Sequence, residues 1–198
     1  VAISAQQVKE LREKTGVAMM ECKKALTEAG GDIDAAVKLL RERGMAQAAK
    51  RSGRSTSEGM VHAYIHPGSR IGVLIEVNCE TDFVARTDEF KDLVKDLAMQ
   101  VAASNPQHVS RDQVPQDVIE AEKEIYKTQA VQAGKPEKIL DRIVEGKLKD
   151  FFSKICLMEQ TFIKDSNQTV EELIKGKIAK TGENISVRRF SMFRLGEE

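Results

Sequence analysis

From Ile71 to Val77 the chain alternates. Ile71, Val73, Ile75 and Val77 fall on one side of an extended segment, and Leu74 adds apolar weight to the other. A period of two rich in β-branched side chains predicts a strand. Met60 to His66 alternates as well, with Val61, Ala63 and Ile65 on one side and His62, Tyr64 and His66 on the other. Pro67-Gly68-Ser69 between them has turn chemistry, so the two segments predict an antiparallel hairpin. A third strand is predicted late, from Ile185 to Leu195. Ile185, Val187, Phe193 and Leu195 share one of its faces, and Phe190 and Met192 share the other. These three make a three-stranded antiparallel sheet, which must bury a face against other elements. A strand apolar on both sides needs cover on both. If helices cover one face only, the other is left for a second copy or a partner.

Helices are what the rest of the chain offers. Ser4 with Gln7 forms a capping box ahead of Val8 and Leu11, and Gly16 stops that helix. A second helix is predicted from about Ala18 to Ala29, with Met19, Met20, Cys22 and Leu26 in helical spacing, closed by Gly30-Gly31. Asp32 caps a third, whose stripe of Ile33, Ala36, Val37 and Leu40 ends at Gly44. None of the three can bury its apolar face alone, so they predict a compact three-helix bundle over residues 1–45. Residues 46–58 are polar, small and basic, with Lys50, Arg51 and Arg54, and predict a linker. Residues 59–198 then form the domain that holds the sheet. Within it Asp88 is the expected cap of a long helix carrying Phe90, Leu93, Val94, Leu97, Ala98 and Val101. Further helices are expected over Val118 to Ala133, around Ile139 to Val144, around Leu148 to Ile155, and after a Thr169–Glu172 capping box. The fold class is α+β.

Charge and motifs exclude more than they assign. Lysine plus arginine and aspartate plus glutamate each number 31, which argues against a protein that coats nucleic acid along its length. Lys50, Arg51 and Arg54 remain a local basic patch, and an RNA- or protein-binding adaptor is the rival reading. Cys22, Cys79 and Cys156 form no CxxC pair, so a disulfide framework or zinc site is not signalled. A reducing compartment, the cytoplasm, is expected. Val1 to Lys14 turns charged too early for a signal-peptide core, and no apolar run approaches the roughly 20 residues of a membrane span. HExxH, GxSxG, GxxxxGK[ST] and GxGxxG are all missing. His62 and His66 sit two apart on one strand, but two histidines without a third ligand make a polar strand face rather than a metal site. No covalent chemistry, metal or cofactor is expected.

Two features read either as core or as contacts with another protein. Met19 and Met20 are adjacent at the start of a helix. Neighbours on a helix point about 100° apart, so both cannot face one small core. The other is Thr81-Asp82-Phe83-Val84, where a strongly apolar strand turns toward a helix. One reading is a capped helix start with a buried aromatic staple. The alternative is an exposed aromatic beside an acid, the profile of an interface hot spot.

Three blocks carry a resemblance. The first is Leu11-Arg12-Glu13-Lys14-Thr15-Gly16 with Met19-Met20-Glu21-Cys22-Lys23-Lys24-Ala25-Leu26. The second runs from Ile71 through Glu80-Thr81-Asp82-Phe83-Val84-Ala85-Arg86. The third is Gly182-Glu183-Asn184-Ile185 with Val187-Arg188-Arg189-Phe190. In order and spacing the chain resembles the short form of the elongation factor Ts family, guanine-nucleotide exchange factors for elongation factor Tu in translation elongation. That resemblance implies a ubiquitin-associated-like N-terminal bundle that docks on the GTPase. It implies that Thr81, Asp82, Phe83 and Val84 act near the partner's magnesium and phosphate site, with Phe83 as a wedge. Arg12, Met19, Met20 and Lys23 match N-terminal contact positions, and His66 and Gly182 match contacts of the core domain. Two departures stand out. Val17-Ala18 precedes the methionines where the family commonly has a glycine, and Thr181 replaces a residue that is often apolar. Short members lack a duplicated core region, so a homodimer, or a two-to-two complex with the GTPase, is expected. Neither a membrane nor nucleic acid is required.

Overall fold

The computed structural model describes residues 3–197. The architecture is α+β: N-terminal helices, then an antiparallel three-stranded sheet packed with helices. The helices are α1 (Ala5–Thr15), α2 (Met19–Glu28), α3 (Ile33–Arg51), α4 (Asp82–Ala85), α5 (Asp88–Ser104), α6 (Gln116–Gln132), α7 (Leu140–Ile155) and α8 (Val170–Thr181). The strands are β1 (Glu58–Ile65), β2 (Ile71–Cys79), β3 (Thr161–Phe162), β4 (Asp165–Thr169) and β5 (Ile185–Arg194). The main sheet has the order β1-β2-β5, and β3 pairs with β4. The chain divides into two compact units. One holds residues 1–59, 78–87 and 172–186, and the other holds 60–77, 88–171 and 187–198.

In the first unit, α1 starts as its sequence predicts. The Ser4 hydroxyl accepts from the Gln7 N–H at 3.2 Å, the Gln7 side chain returns to the Ser4 N–H at 3.0 Å, and Gly16 ends the helix at φ 66°. Asp32 caps α3 through the Ala35 N–H at 2.9 Å. Val8, Leu11, Cys22, Ala25, Leu26, Ala36 and Leu40 form one buried core among the three helices.

The third helix does not end at Gly44. It runs on to Arg51, through the first half of the stretch expected to be a linker. Its buried stripe is Ala36, Leu40, Gly44 and Ala48, all on one face at a spacing of four. A β-carbon on Gly44 would lie 2.9 Å from the β-carbon of Ala179 in α8. Gly44 is therefore a close-packing residue, and contact with α8 offsets the roughly 1 kcal/mol that an interior glycine costs a helix. Gly44→Val should overpack this contact. The expected loss is about 1–3 kcal/mol, checked by urea unfolding of the variant beside wild type.

In the second unit, Val73, Ile75 and Val77 of β2 are buried, as is the α5 stripe of Phe90, Leu93, Val94, Leu97, Ala98 and Val101. Asp88 is the first residue of α5 rather than its cap. There its carboxylate and that of Glu89 favour the helix N-terminus. The two helices expected around Ile139 and Phe152 are one helix, α7, which packs with α6 around Val114, Leu148, Phe152 and Cys156. The β3–β4 hairpin is an addition to the expected elements.

The sheet's other face is apolar and exposed. Val61, Ala63 and Ile65 of β1 point outward, the reverse of what their apolar character suggests, while His62 and Tyr64 are half-buried. A β-carbon on Gly72 would meet Ile65 at 3.1 Å, which puts Ile65 on the face of Gly72, Leu74 and Glu76. Glu76 accepts from Arg189 Nε at 2.7 Å, which adds Arg189 and, by alternation, Phe193. Phe193 is 75% exposed. Along β5 the burial phase changes: Ile185 and Val187 are buried, whereas farther on Phe190 and Met192 are the half-buried pair.

Cys22, Cys79 and Cys156 are free and buried. Burial pushes the Cys79 thiol up to about 11, and the nearby Glu183 carboxylate adds to it. Burial, then Glu159, does the same to Cys156, also to about 11. Both thiols hold their protons more tightly folded than unfolded. Their contribution to stability is complete below the ordinary value of 9.0 and is lost as pH rises through about 11. The urea midpoint should fall across that window. A Cys79→Ala/Cys156→Ala variant should start lower and decline less steeply.

Candidate functional site

The site begins where β2 runs out. After Cys79 the backbone stays extended through Thr81 (φ −127°, ψ 154°), whose hydroxyl accepts from the Val84 N–H at 3.4 Å. One turn of helix follows, Asp82–Ala85. A four-residue helix is far below the length that is stable alone, so its shape comes from anchors. Val84 and Ala85 are buried beneath it. The Thr87 hydroxyl donates to the Val84 carbonyl at 2.7 Å, and the Cys79 thiol donates to the Thr81 carbonyl at 3.2 Å.

With Val84 and Ala85 turned in, Asp82 and Phe83 turn out. Phe83 is 77% exposed. Of the two readings of this segment, the cap is present and the buried staple is not. Asp82 pairs with Arg86 at 2.8 Å on the surface, a bond that contributes little in water and is easily given up to another donor.

The segment Gly182-Glu183-Asn184 braces this turn. Glu183 accepts from the Thr81 N–H at 3.0 Å and from its hydroxyl at 2.6 Å. Glu80 accepts from the Asn184 N–H at 2.6 Å. The buried Asn184 amide donates to the carbonyls of Arg54 at 2.8 Å and Ser52 at 3.3 Å. Gly182 has φ 81°, a conformation that suits glycine. Thr181 ends α8, its hydroxyl donating to the Lys177 carbonyl at 2.9 Å. Sequence reasoning missed the roles of Glu80, Glu183 and Asn184. The partners lie more than 100 residues apart, and no local pattern marks them.

Arg12, Met19, Met20 and Lys23 lie in the same unit as Thr81 to Val84 and Gly182. Arg12 and Lys23 are exposed. Neither methionine faces the core: Met19 is 46% and Met20 is 64% exposed, a large apolar surface at the tip of a short helix. Met20 and Lys23 line a depression of about 280 Å³ together with Lys24, Thr27 and Glu28. Ala18 enters α2 with φ −55°, so the helix start needs none of glycine's freedom.

His66 belongs to the second unit. Its Nδ1 lies 3.0 Å from the Tyr64 hydroxyl, on the rim of a cavity of about 700 Å³ lined also by Arg70, Ile71, Met99 and Arg194. Among the described residues no three His, Cys, Asp or Glu side chains stand close enough to hold a metal together. The basic patch is partly used within the fold. Arg51 donates to the Ile178 carbonyl at 3.2 Å, and Arg54 lies 3.5 Å from Glu80.

The profile described as Elongation factor TS matches residues 2–197. A protein of Thermoanaerobacter sp. (strain X514) named elongation factor Ts is 59% identical over 195 residues, 98% of this chain and 96% of its own length. One of the same name from Moorella thermoacetica is 60% identical over the same shares. Another, from Caldanaerobacter subterraneus subsp. tengcongensis, is 58% identical over 98% of each chain.

Proposed function

This chain belongs to the elongation factor Ts family, and from that premise we propose that it binds elongation factor Tu and speeds release of its GDP. The observation that carries the mechanism is Phe83, a large aromatic held out in water on a braced single turn. A GTPase grips nucleotide partly through magnesium that bridges protein and phosphate. A factor that binds better to the form with a disturbed magnesium site weakens nucleotide by the same coupling. Phe83 enters the partner as a wedge, and Asp82 leaves Arg86 to take partner donors beside it.

One buried phenylalanine contributes about 1.5–3 kcal/mol, and each decade of nucleotide affinity costs about 1.4 kcal/mol. Phe83 therefore acts with a broader surface. Residues 1–45 are the docking module, with Arg12, Met19, Met20 and Lys23 as its contacts, and His66 and Gly182 add contacts from elsewhere on the chain. No bond is made or broken, and no cofactor takes part. The work is done in the cytoplasm, without membrane or nucleic acid. No described helix is long and apolar enough to cross a membrane.

The chain acts as a homodimer, in a two-to-two complex with the GTPase, paired through the outer face of the sheet. That face offers Val61, Ile65, Leu74 and Phe193 beside the Glu76–Arg189 pair. A two-fold axis through it would set apolar on apolar and let each acid meet the other copy's base.

The test is co-elution with GDP-free elongation factor Tu in gel filtration. A complex that excess GDP with magnesium dissolves supports the reading. Separate elution of the two proteins contradicts it.

A further inference from the structure

We propose that Glu183 is a positioning residue for nucleotide exchange, holding Thr81 so that the turn after it aims Phe83 at the partner. The inference rests on the reading of Thr81 to Val84 given above.

The geometry is reciprocal. Two segments far apart in sequence each lend a carboxylate to the other's backbone. Glu183 takes the Thr81 N–H at 3.0 Å, and Glu80 takes the Asn184 N–H at 2.6 Å. Hydrogen bonds to an ionised acceptor are shorter and about twice as strong as neutral ones. Asn184 is 5% exposed, and its two amide bonds to the Ser52 and Arg54 carbonyls fix the brace from behind.

Thr81 is the point where the brace meets the working turn. Its hydroxyl donates to Glu183 at 2.6 Å and accepts from the Val84 N–H at 3.4 Å. With the hydroxyl hydrogen directed at Glu183, the oxygen's lone pairs are left to accept from the helix start. The cap is thus oriented from outside the helix. The same clasp gives Gly182 a conformational role. At φ 81° it turns the chain out of α8 so that Glu183 comes round to Thr81.

An exposed phenylalanine on a loose loop must be ordered each time it binds, and prior ordering removes that cost. Phe83 is 77% exposed, so burial does little to fix its direction. The anchors of its turn are Val84, Ala85, Thr87, the Cys79 thiol and this clasp. The clasp ties the turn to a segment about 100 residues away through the Glu183 carboxylate.

The experiment uses the full chain and elongation factor Tu loaded with fluorescent GDP, with release rate followed against factor concentration. Glu183→Ala should lower the maximal rate about tenfold. It should move half-saturation by less than about threefold, because the N-terminal contacts are untouched. Thr81→Val, which keeps the volume and removes the hydroxyl, should fall in the same direction. Glu183→Gln, which keeps one acceptor, should recover part of the rate. Placed in a Phe83→Ala background, Glu183→Ala should add less than about a twofold loss, since both act through one side chain. Full additivity would instead mark a general loss of fold and overturn the proposal. So would a wild-type rate for Glu183→Ala beside a crippled Phe83→Ala, which would leave the functional reading standing. A wild-type rate for Phe83→Ala itself would overturn both.

Discussion

Replacing Phe83 with alanine is expected to cut the acceleration of GDP release by between about tenfold and a hundredfold. The range is the free energy of burying one phenylalanine, about 1.5–3 kcal/mol, at about 1.4 kcal/mol per decade. The substitution should leave the factor's own stability nearly unchanged. The ring is 77% exposed and supports no core, and surface changes away from caps and packing usually fall within about 0.5 kcal/mol. That separation is the diagnostic feature: a large loss of exchange with no loss of melting temperature. Asp82→Ala should cost less, several-fold, because its bond to Arg86 is already exposed to solvent. Stopped-flow release of fluorescent GDP, with thermal melting of each variant, checks both.

The second large effect concerns assembly. Leu74→Asp with Phe193→Asp should turn the proposed dimer into a monomer. The wild-type face holds Val61, Ile65, Leu74 and Phe193 in water, and placing them against a second copy removes that apolar area from solvent. Two carboxylates per copy on a self-matching face would meet their own images across the two-fold axis, and like charges in contact oppose association. Sedimentation at micromolar concentration should show twice the chain mass for wild type and the chain mass for the variant. Each variant chain should stay folded, since both positions are surface positions. Sedimentation of the wild type as a single chain at every concentration would contradict the proposed dimer.

Much of the fold was legible because it is built from local signals. The Ser4–Gln7 capping box, the Asp32 cap and the alternation of Ile71 to Val77 each act over a few residues, and each is present in the structure. Where expectation failed, tertiary contact had overridden a local rule. Gly44 reads as a helix stop, yet α8 packs so close that only glycine fits there. Val61, Ala63 and Ile65 form the more apolar side of β1, yet that is the side that faces outward. The strand Asp165–Thr169 has no apolar alternation to announce it.

The site was legible to a different degree. Thr81 is marked as a cap by residue type, whereas nothing in the local pattern tells whether Phe83 is a staple or an anchor. That outcome depends on what fills the space around the ring. Glu183 and Asn184 were invisible as supports of Thr81, since hydrogen bonds across such a separation leave no periodicity to read.

The most direct test of the whole account is the rate at which fluorescent GDP leaves elongation factor Tu, in millimolar magnesium, as wild-type chain is added. The release rate should climb with factor concentration to a plateau orders of magnitude above the spontaneous rate. A release rate that stays at its spontaneous value at every factor concentration would contradict it.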